Sequence, residues 1–280
     1  MPTRLSSSEE RGWSGGLDLL WGSTALTQQA GAEALIVDAE TREARLTLQA
    51  PLSKRFAFQL QLPYRYTGAG NLDGFIDGWH DAFGLPEGAR SDLPSDAINI
   101  TYIRGTRGLS MTSSVSGLGD AQASLGYDVV ASEASALSAW LSVKLPTGDS
   151  DKLTGSGATD VSLTLAGERR VDAWCVFGQA AVTWLGEGDL LPYRQRSVVW
   201  SGLAGVSGRV WQGLSLKAQV DAHTAAFDSE LDFLNEAIVL TVGGDYRFAS
   251  GWLMNIGVSE DIAVEHSPDV VFFFSAKRGW

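Results

Sequence analysis

Arg55-Phe-Ala-Phe-Gln-Leu-Gln-Leu-Pro-Tyr-Arg-Tyr-Thr67 is the stretch that decides the fold: Phe56, Phe58, Leu60, Leu62, Tyr64 and Tyr66 hold one parity, while Gln59, Gln61 and Arg65 hold the other. Successive side chains of a strand point to opposite faces, so this segment has one greasy face and one wet face. It is long enough to cross a bilayer as a tilted strand, ends its apolar face in tyrosines, and recurs in looser form down the chain. Lipid-facing and lumen-facing residues alternate in this way in transmembrane β-barrels.

The 280 residues contain no apolar run of about 18, so no transmembrane helix is expected, and 32 glycines against 8 prolines suit a single all-β body with many turns. A net charge of −12 argues against nucleic acid as a partner, since phosphate needs a clustered positive surface and the basic residues here are scattered. Cys175 is the single cysteine, lying between Trp174 and Val176, which excludes an intramolecular disulfide and points to packing. No cofactor is expected. Met1 to Ser8 lacks the apolar core of a secretory signal; for an outer-membrane protein the expectation is a signal already removed, with residues 1–11 a periplasmic tail and 12–280 the barrel.

Period-two segments are read at Gly15 to Leu26, Ala34 to Leu52, Arg55 to Thr67, Leu118 to Val130, Ala136 to Pro146, Asp160 to Arg169, Ala173 to Leu185, Ser197 to Val210, Leu214 to Ala226, Ala237 to Phe248, Trp252 to Asp261 and Val270 to Gly279. They predict a single antiparallel up-and-down barrel of about twelve strands, an even number as such barrels require. Short turns at Ser53-Lys54, Ala131 to Ser135, Arg170 to Asp172, Trp211 to Gly213 and Ala249 to Gly251 alternate with longer Asp-, Gly- and Pro-rich connections. Tight turns belong to the periplasmic side of outer-membrane barrels, which places both termini there. The longest connection, residues 68–117, is expected to be an acidic extracellular cap with a hairpin at Ile98 to Met111. Its Phe75, Trp79 and Phe83 suggest a short helix over or into the mouth.

Parity sorts the side chains further. Leu17, Leu19, Trp21, Leu141, Val143, Trp174, Val176, Trp184, Ile238, Leu240, Val242, Tyr246, Phe272 and Phe274 are assigned to lipid. The opposite set, including Asp18, Arg45, Gln59, Arg65, Asp120, Asp128, Lys144, Asp160, Lys217, Asn255 and Lys277, is assigned to the lumen. Both signs of charge are interleaved there, which predicts ion pairs bracing a narrow barrel. The chain ends Val270-Val-Phe-Phe-Phe-Ser-Ala-Lys-Arg-Gly-Trp280, similar to the carboxy-terminal signal by which barrel-assembly machinery recognises its clients, with Arg278 standing where that pattern prefers an apolar residue.

Several strings carry a family resemblance: Asp73-Gly-Phe-Ile-Asp-Gly-Trp-His-Asp-Ala-Phe-Gly-Leu-Pro86 with Arg90, Ser116-Gly-Leu-Gly-Asp120, Lys144-Leu-Pro-Thr-Gly-Asp149 with Gly155-Ser-Gly157 and Asp160, and Ser259-Glu-Asp-Ile-Ala263 with Pro268-Asp269. Together they resemble an uncharacterised proteobacterial family of outer-membrane proteins, a domain of unknown function. More loosely, the Gly117–Asp120 and Lys144–Asp149 strings resemble the outer-membrane barrels of aromatic-compound degradation pathways. Neither resemblance brings a defined ligand.

Lys217, Asp221, His223, Asp245, Arg247 and Asp261, from three successive strands, are the candidates for a polar solute path; a cross-bracing ion network is the competing reading. Asp73, Asp77, Trp79, His80, Asp81 and Arg90 are the notable cap-loop residues. The acidic residues among them are four apart, the spacing of one solvated helical face, so no metal is assigned. Residues 147–149 and 155–157 are flanked by strands and read as loop punctuation, not phosphate cradles. The expected function is passage or binding of a small solute, hydrophobic ones included, by a monomeric porin-like protein surrounded by outer-membrane lipid and lipopolysaccharide. The alternative is an envelope protein acting through its acidic external loops. A lipid hydrolase comes third, because none of His80, His223 and His266 stands in the His-any-Ser arrangement on a strand.

Overall fold

The computed structural model describes residues 12–72, 74–76, 78, 93–94, 96–191, 194–262 and 266–280. Among them fifteen strands form one antiparallel sheet: β1 (Ser14–Ala30), β2 (Glu33–Pro51), β3 (Phe56–Gly68), β4 (Asn99–Arg104), β5 (Arg107–Met111), β6 (Val115–Leu118), β7 (Ala121–Ala131), β8 (Ser135–Leu145), β9 (Asp160–Val171), β10 (Trp174–Trp184), β11 (Val198–Trp211), β12 (Leu214–His223), β13 (Ala237–Arg247), β14 (Trp252–Asp261) and β15 (Val270–Gly279). Each wall strand pairs with its sequence neighbours, and β1 pairs with β15, which closes the sheet. With β6 and β7 sharing one position beside β3 and the β4–β5 hairpin set aside, the wall is a closed barrel of twelve strands. Closure leaves no described strand of the twelve-stranded wall without a partner on either side, the condition for a sheet to sit in hydrocarbon.

The assigned parity holds around the wall. Leu17, Leu46, Phe58, Leu125, Leu141, Leu163, Val176, Leu216, Leu240 and Ile256 all turn outward and are exposed, forming a continuous apolar belt. A belt of this extent has no counterpart on soluble monomers. Trp174 and Trp184 bound it from opposite ends of β10, joined by Trp211 and Trp252 at the short-turn end and by Trp200 and Tyr64 at the long-loop end. Ten residues at about 3.3 Å each and a tilt of about 40° separate the two tryptophans of β10 by about 25 Å, the height of a membrane barrel's belt. Arg278, the departure in the carboxy-terminal pattern, sits at the short-turn rim with its guanidinium 5.8 Å from the Trp252 ring centre, where its charge is clear of the belt.

Inside, large aromatic side chains lie over glycines directly opposite on the next strand: Trp140 over Gly126, Phe177 over Gly205 and Phe273 over Gly257. A Cβ on any of the three glycines would come within 2.8 Å of the facing ring, so glycine here supplies room rather than flexibility. The aromatic rings occupy lumen space that smaller side chains would leave open.

The segment expected as one strand from Leu118 to Val130 is two, β6 and β7, broken at Gly119-Asp120. The break lies beside Pro63, whose missing N–H cannot serve the ladder; its carbonyl still accepts the Gly119 N–H at 2.9 Å. Asp120 is thereby released from the ladder at the long-loop end of the lumen.

β1 and β2 run on beyond the belt, and where β3 has ended, β4 takes its place beside Glu33 to Asp38. The inward face of this extension carries Leu26, Leu35, Val37 and Tyr102, packed against Leu231, Phe233 and Leu234 of the β12–β13 loop and Leu191 of the β10–β11 loop. The two loops are tied to each other by a bridge between Gln195 and Phe227 and by the Asp228 N–H to the Arg194 carbonyl at 2.6 Å. Together they roof the long-loop end.

The start of the 68–117 connection takes a different course from the one expected. Leu72 and Ile76, on a single helical turn, pack on the outer wall against Val270, Trp21, Val258 and Phe272, with the Phe75 ring 5.7 Å from that of Phe272. Glu40 faces outward beneath this strap, 1% exposed; it accepts the N–H groups of Asn71 and Leu72 and, at 2.7 Å, the indole Nε1–H of Trp21. The described part of the helix therefore covers the outer side of the β1–β15 seam and not the mouth, because Glu40 offers acceptors there and the rim beside it is apolar. Trp21 faces outward as assigned but is covered by the strap. The 1–11 tail and the cap residues Asp73, Asp77, Trp79, His80, Asp81 and Arg90 lie outside the described residues.

Candidate functional site in the barrel lumen

Register and the β6–β7 break bring two charged groups together in the upper lumen. On β2 and β3, Glu43 is opposite Arg65 and two residues from Arg45. Arg45 Nη2 donates to Glu43 Oε1 at 2.5 Å, Arg65 donates through Nε and Nη2 to Oε2 at 3.3 and 2.8 Å, and Arg65 Nη1 reaches the Leu153 carbonyl at 3.2 Å. One carboxylate is thus shared by two guanidinium groups.

The second group centres on Lys144 of β8, whose Nζ lies 3.0 Å from Asp120 and 2.7 Å from Asp160 and also donates to the Ser156 hydroxyl. Both acids have further work. Asp120 accepts the N–H groups of Gly148 and Ser156, each at 3.0 Å, and Asp160 accepts that of Gly186, also at 3.0 Å. Buried carboxylates that satisfy loop amides hold those loops in place. The 146–159 connection is accordingly bent inward over the strand break, and residues read from sequence as loop punctuation line the site.

Between the two groups lies a cavity of about 400 Å³ in the size range of small-molecule sites, lined by Glu43, Arg45, Arg65, Lys144, Gln61, Gln122 and the Leu153–Ser156 stretch. The loops that roof the long-loop end of the barrel are anchored by Glu33, in the extension beyond the belt and 3% exposed. Burial alone would raise the Glu33 carboxyl. The Tyr102 hydroxyl at 2.6 Å, the Glu230 N–H and the Ser229 hydroxyl at 2.9 Å each, and the charge of Arg194 outweigh burial and hold it below its ordinary value. The same burial and contact with Glu33 push the Tyr102 phenol up to about 12.

The six residues chosen from sequence all face the lumen or its rim but do not form one cluster. Lys217 pairs with Asp245 across β12 and β13 and donates to Asn255 at 3.3 Å. Asp221 accepts the Gln219 amide at 2.8 Å and the Thr241 hydroxyl at 3.4 Å. Asp261 accepts the His266 and Ser267 N–H groups at 2.8 Å each and so holds its own loop. His223 donates from Nδ1 to the Thr224 carbonyl at 3.0 Å, and Arg247 is exposed at the short-turn rim. Among the described residues neither His223 nor His266 bonds a serine hydroxyl through its ring; His266 gives its Nδ1–H to the Glu236 carbonyl. Glu43 and the sharing of its carboxylate by Arg45 and Arg65 were missed. Their signal was available in parity and in the Asp120 and Lys144 strings, but nothing in the sequence singles out which lumen charges meet around a space.

A family model described as "Protein of unknown function (DUF3187)" matches residues 20–280. No curated protein matches the chain. Among solved structures, the COG4313 outer membrane channel from Pseudomonas putida F1 superposes with a TM-score of 0.65 at 16% identity, covering 100% of both chains. The NanC porin matches with a TM-score of 0.51 at 9% identity over 94% of this chain and 98% of its own. The translocator domain of the autotransporter NalP from Neisseria meningitidis matches at 0.50 and 13% over 96% and 88%. At these identities the likeness is one of fold: the chain has the closed barrel of outer-membrane channels.

Proposed function

The chain belongs to the DUF3187 family of proteins of unknown function, and we propose that it is a passive channel of the bacterial outer membrane with a narrow polar lumen. The belt and its tryptophan rims suit a bilayer, and the tight turns then face the periplasm. The observation that carries the reading is the cavity of about 400 Å³ inside the wall, lined by ion-paired side chains and bordered by the Leu153–Ser156 stretch. A structural barrel has no need of an open polar space beside hydrogen-bonded loops. The lining favours a polar solute over the hydrophobic one that the looser family resemblance implies. Inward aromatic residues and paired charges make the path narrow, so the expected unitary conductance is small. The test is reconstitution of the purified protein in planar bilayers: small, discrete conductance steps support a channel, and electrical silence at every voltage and salt concentration overturns it.

A further inference from the structure

The cavity walls are unbalanced in hydrogen-bond donors and acceptors. Each carboxylate at the site is already engaged. Glu43 receives Arg45 on one oxygen and Arg65 on the other, Asp120 receives two backbone N–H groups and Lys144, and Asp160 receives Gly186 and Lys144. Lys144 is saturated in turn by Asp120, Asp160 and Ser156. Arg65 uses Nε and both terminal nitrogens. Arg45 differs: its one protein partner among the described residues is Glu43, through Nη2, which leaves Nε–H and Nη1–H2 unengaged on a side chain that lines the cavity. Asp18, opposite Arg45 in register, lies 3.8 Å from Lys277. Two guanidinium groups share one carboxylate on this wall, so the wall carries a net positive charge and spare planar donors.

We propose that Arg45, supported by Arg65, forms a binding station for the carboxylate of a small organic acid. A guanidinium fork matches a carboxylate in plane and in spacing, and the bound anion would supply acceptors to the Arg45 N–H groups that Glu43 does not reach. Gln61 and Gln122, on the neighbouring strands of the lining, provide amides for a hydroxyl or carbonyl elsewhere on the same solute. Glu43 competes with the solute for Arg45. It keeps the unoccupied site neutralised and limits affinity, as a station on a passive route requires. The inference deepens the channel reading by naming the solute class, and it rests on that reading in placing the solute on a path.

The test is calorimetric titration of the full-length protein in detergent with sodium succinate, and with succinamide as the uncharged control. Succinate is expected to bind and succinamide not to. Arg45→Gln should weaken succinate binding at least 10-fold, and Glu43→Gln, which frees both guanidinium groups, should strengthen it. A misfolded variant could lose binding but could not gain it, so the second substitution separates the proposal from mere damage. Equal binding of succinate and succinamide, no binding of either, or Glu43→Gln weakening the interaction would overturn the station. Calorimetry reads binding whether or not ions cross. Succinate binding by a protein silent in bilayers removes the channel and keeps the station, whereas conductance without succinate binding does the reverse.

Discussion

At the scale of single residues, charge pairing and ring-over-glycine packing set the lumen's shape. Among the described residues Lys144 is the one base paired with both Asp120 and Asp160, and those acids hold the 146–159 and 185–197 connections. Replacing it by methionine leaves two buried carboxylates without their counter-charge. The expected loss is about 1–3 kcal/mol, less than the ~3–5 kcal/mol of a dry buried pair because Lys144 retains partial exposure. The midpoint of urea unfolding in lipid micelles measures it. Gly126→Ala places a methyl 2.8 Å from the Trp140 ring. Overpacking of this kind costs about 1–3 kcal/mol, and the same unfolding assay should show a lowered midpoint. Most of the residue-level identities were legible in advance: Arg45, Arg65, Asp120 and Lys144 were all assigned to the lumen by parity. Their grouping was not, since alternation says which face a side chain takes and nothing about which facing charges share a level.

At the scale of elements, the roof and the strap each hang on one buried glutamate. Glu33 is held below its ordinary value of 4.5, so the folded state favours the ionised carboxyl. A depressed carboxyl contributes stability that is complete above its ordinary value and is lost as pH falls through the lower, folded one. The β12–β13 loop should therefore stay docked at neutral pH and loosen only as pH falls below the ordinary carboxyl value of 4.5. Glu33→Gln should loosen it at pH 7 and flatten the pH dependence. Hydrogen exchange of the amides between residues 224 and 236 reads both effects, and an unchanged profile in the variant would exclude Glu33 as the anchor. On the outer wall, Glu40→Ala removes the acceptor for the Asn71 and Leu72 N–H groups and the Trp21 indole. Each buried donor left unpartnered costs about 1–3 kcal/mol, so protease cleavage in the 68–98 segment should accelerate by an order of magnitude or more. The sequence showed aromatic residues in this connection but not the side of the wall they would cover. That choice depended on an acceptor exposed on β2 and an apolar seam between β1 and β15, two features far apart in the chain.

At the scale of the whole molecule, the belt and the closed sheet act together. Exposed apolar side chains encircle the wall between two tryptophan rims, and no described strand of the wall is left without a neighbour on either side. In lipid vesicles, brominated acyl chains should quench the tryptophan fluorescence strongly. Bromine placed near the headgroups should be the more effective quencher, since Trp174, Trp184, Trp200 and Trp211 sit at the rims. Bromine at the bilayer centre quenching as well or better would contradict that placement. Solved barrels of similar fold include channels and a translocator domain, so architecture alone assigns no solute. The chemistry of the cavity has to carry that step.

What the amino-acid order determined by itself was the wall: the number of strands, the face each side chain takes, the alternation of tight and long connections, and hence both ends of the barrel. These properties are local, because a period of two is written within each strand and closure does no more than repeat it. Tertiary structure decided the rest. Pro63 interrupts the neighbouring strand only because register sets it beside Gly119, and Glu43 receives Arg65 only because a hairpin brings them opposite each other. The cavity, its surplus of donors and the course of the strap all arise from contacts between segments distant in sequence, where the geometry of closure, and not the local pattern, selects the partner.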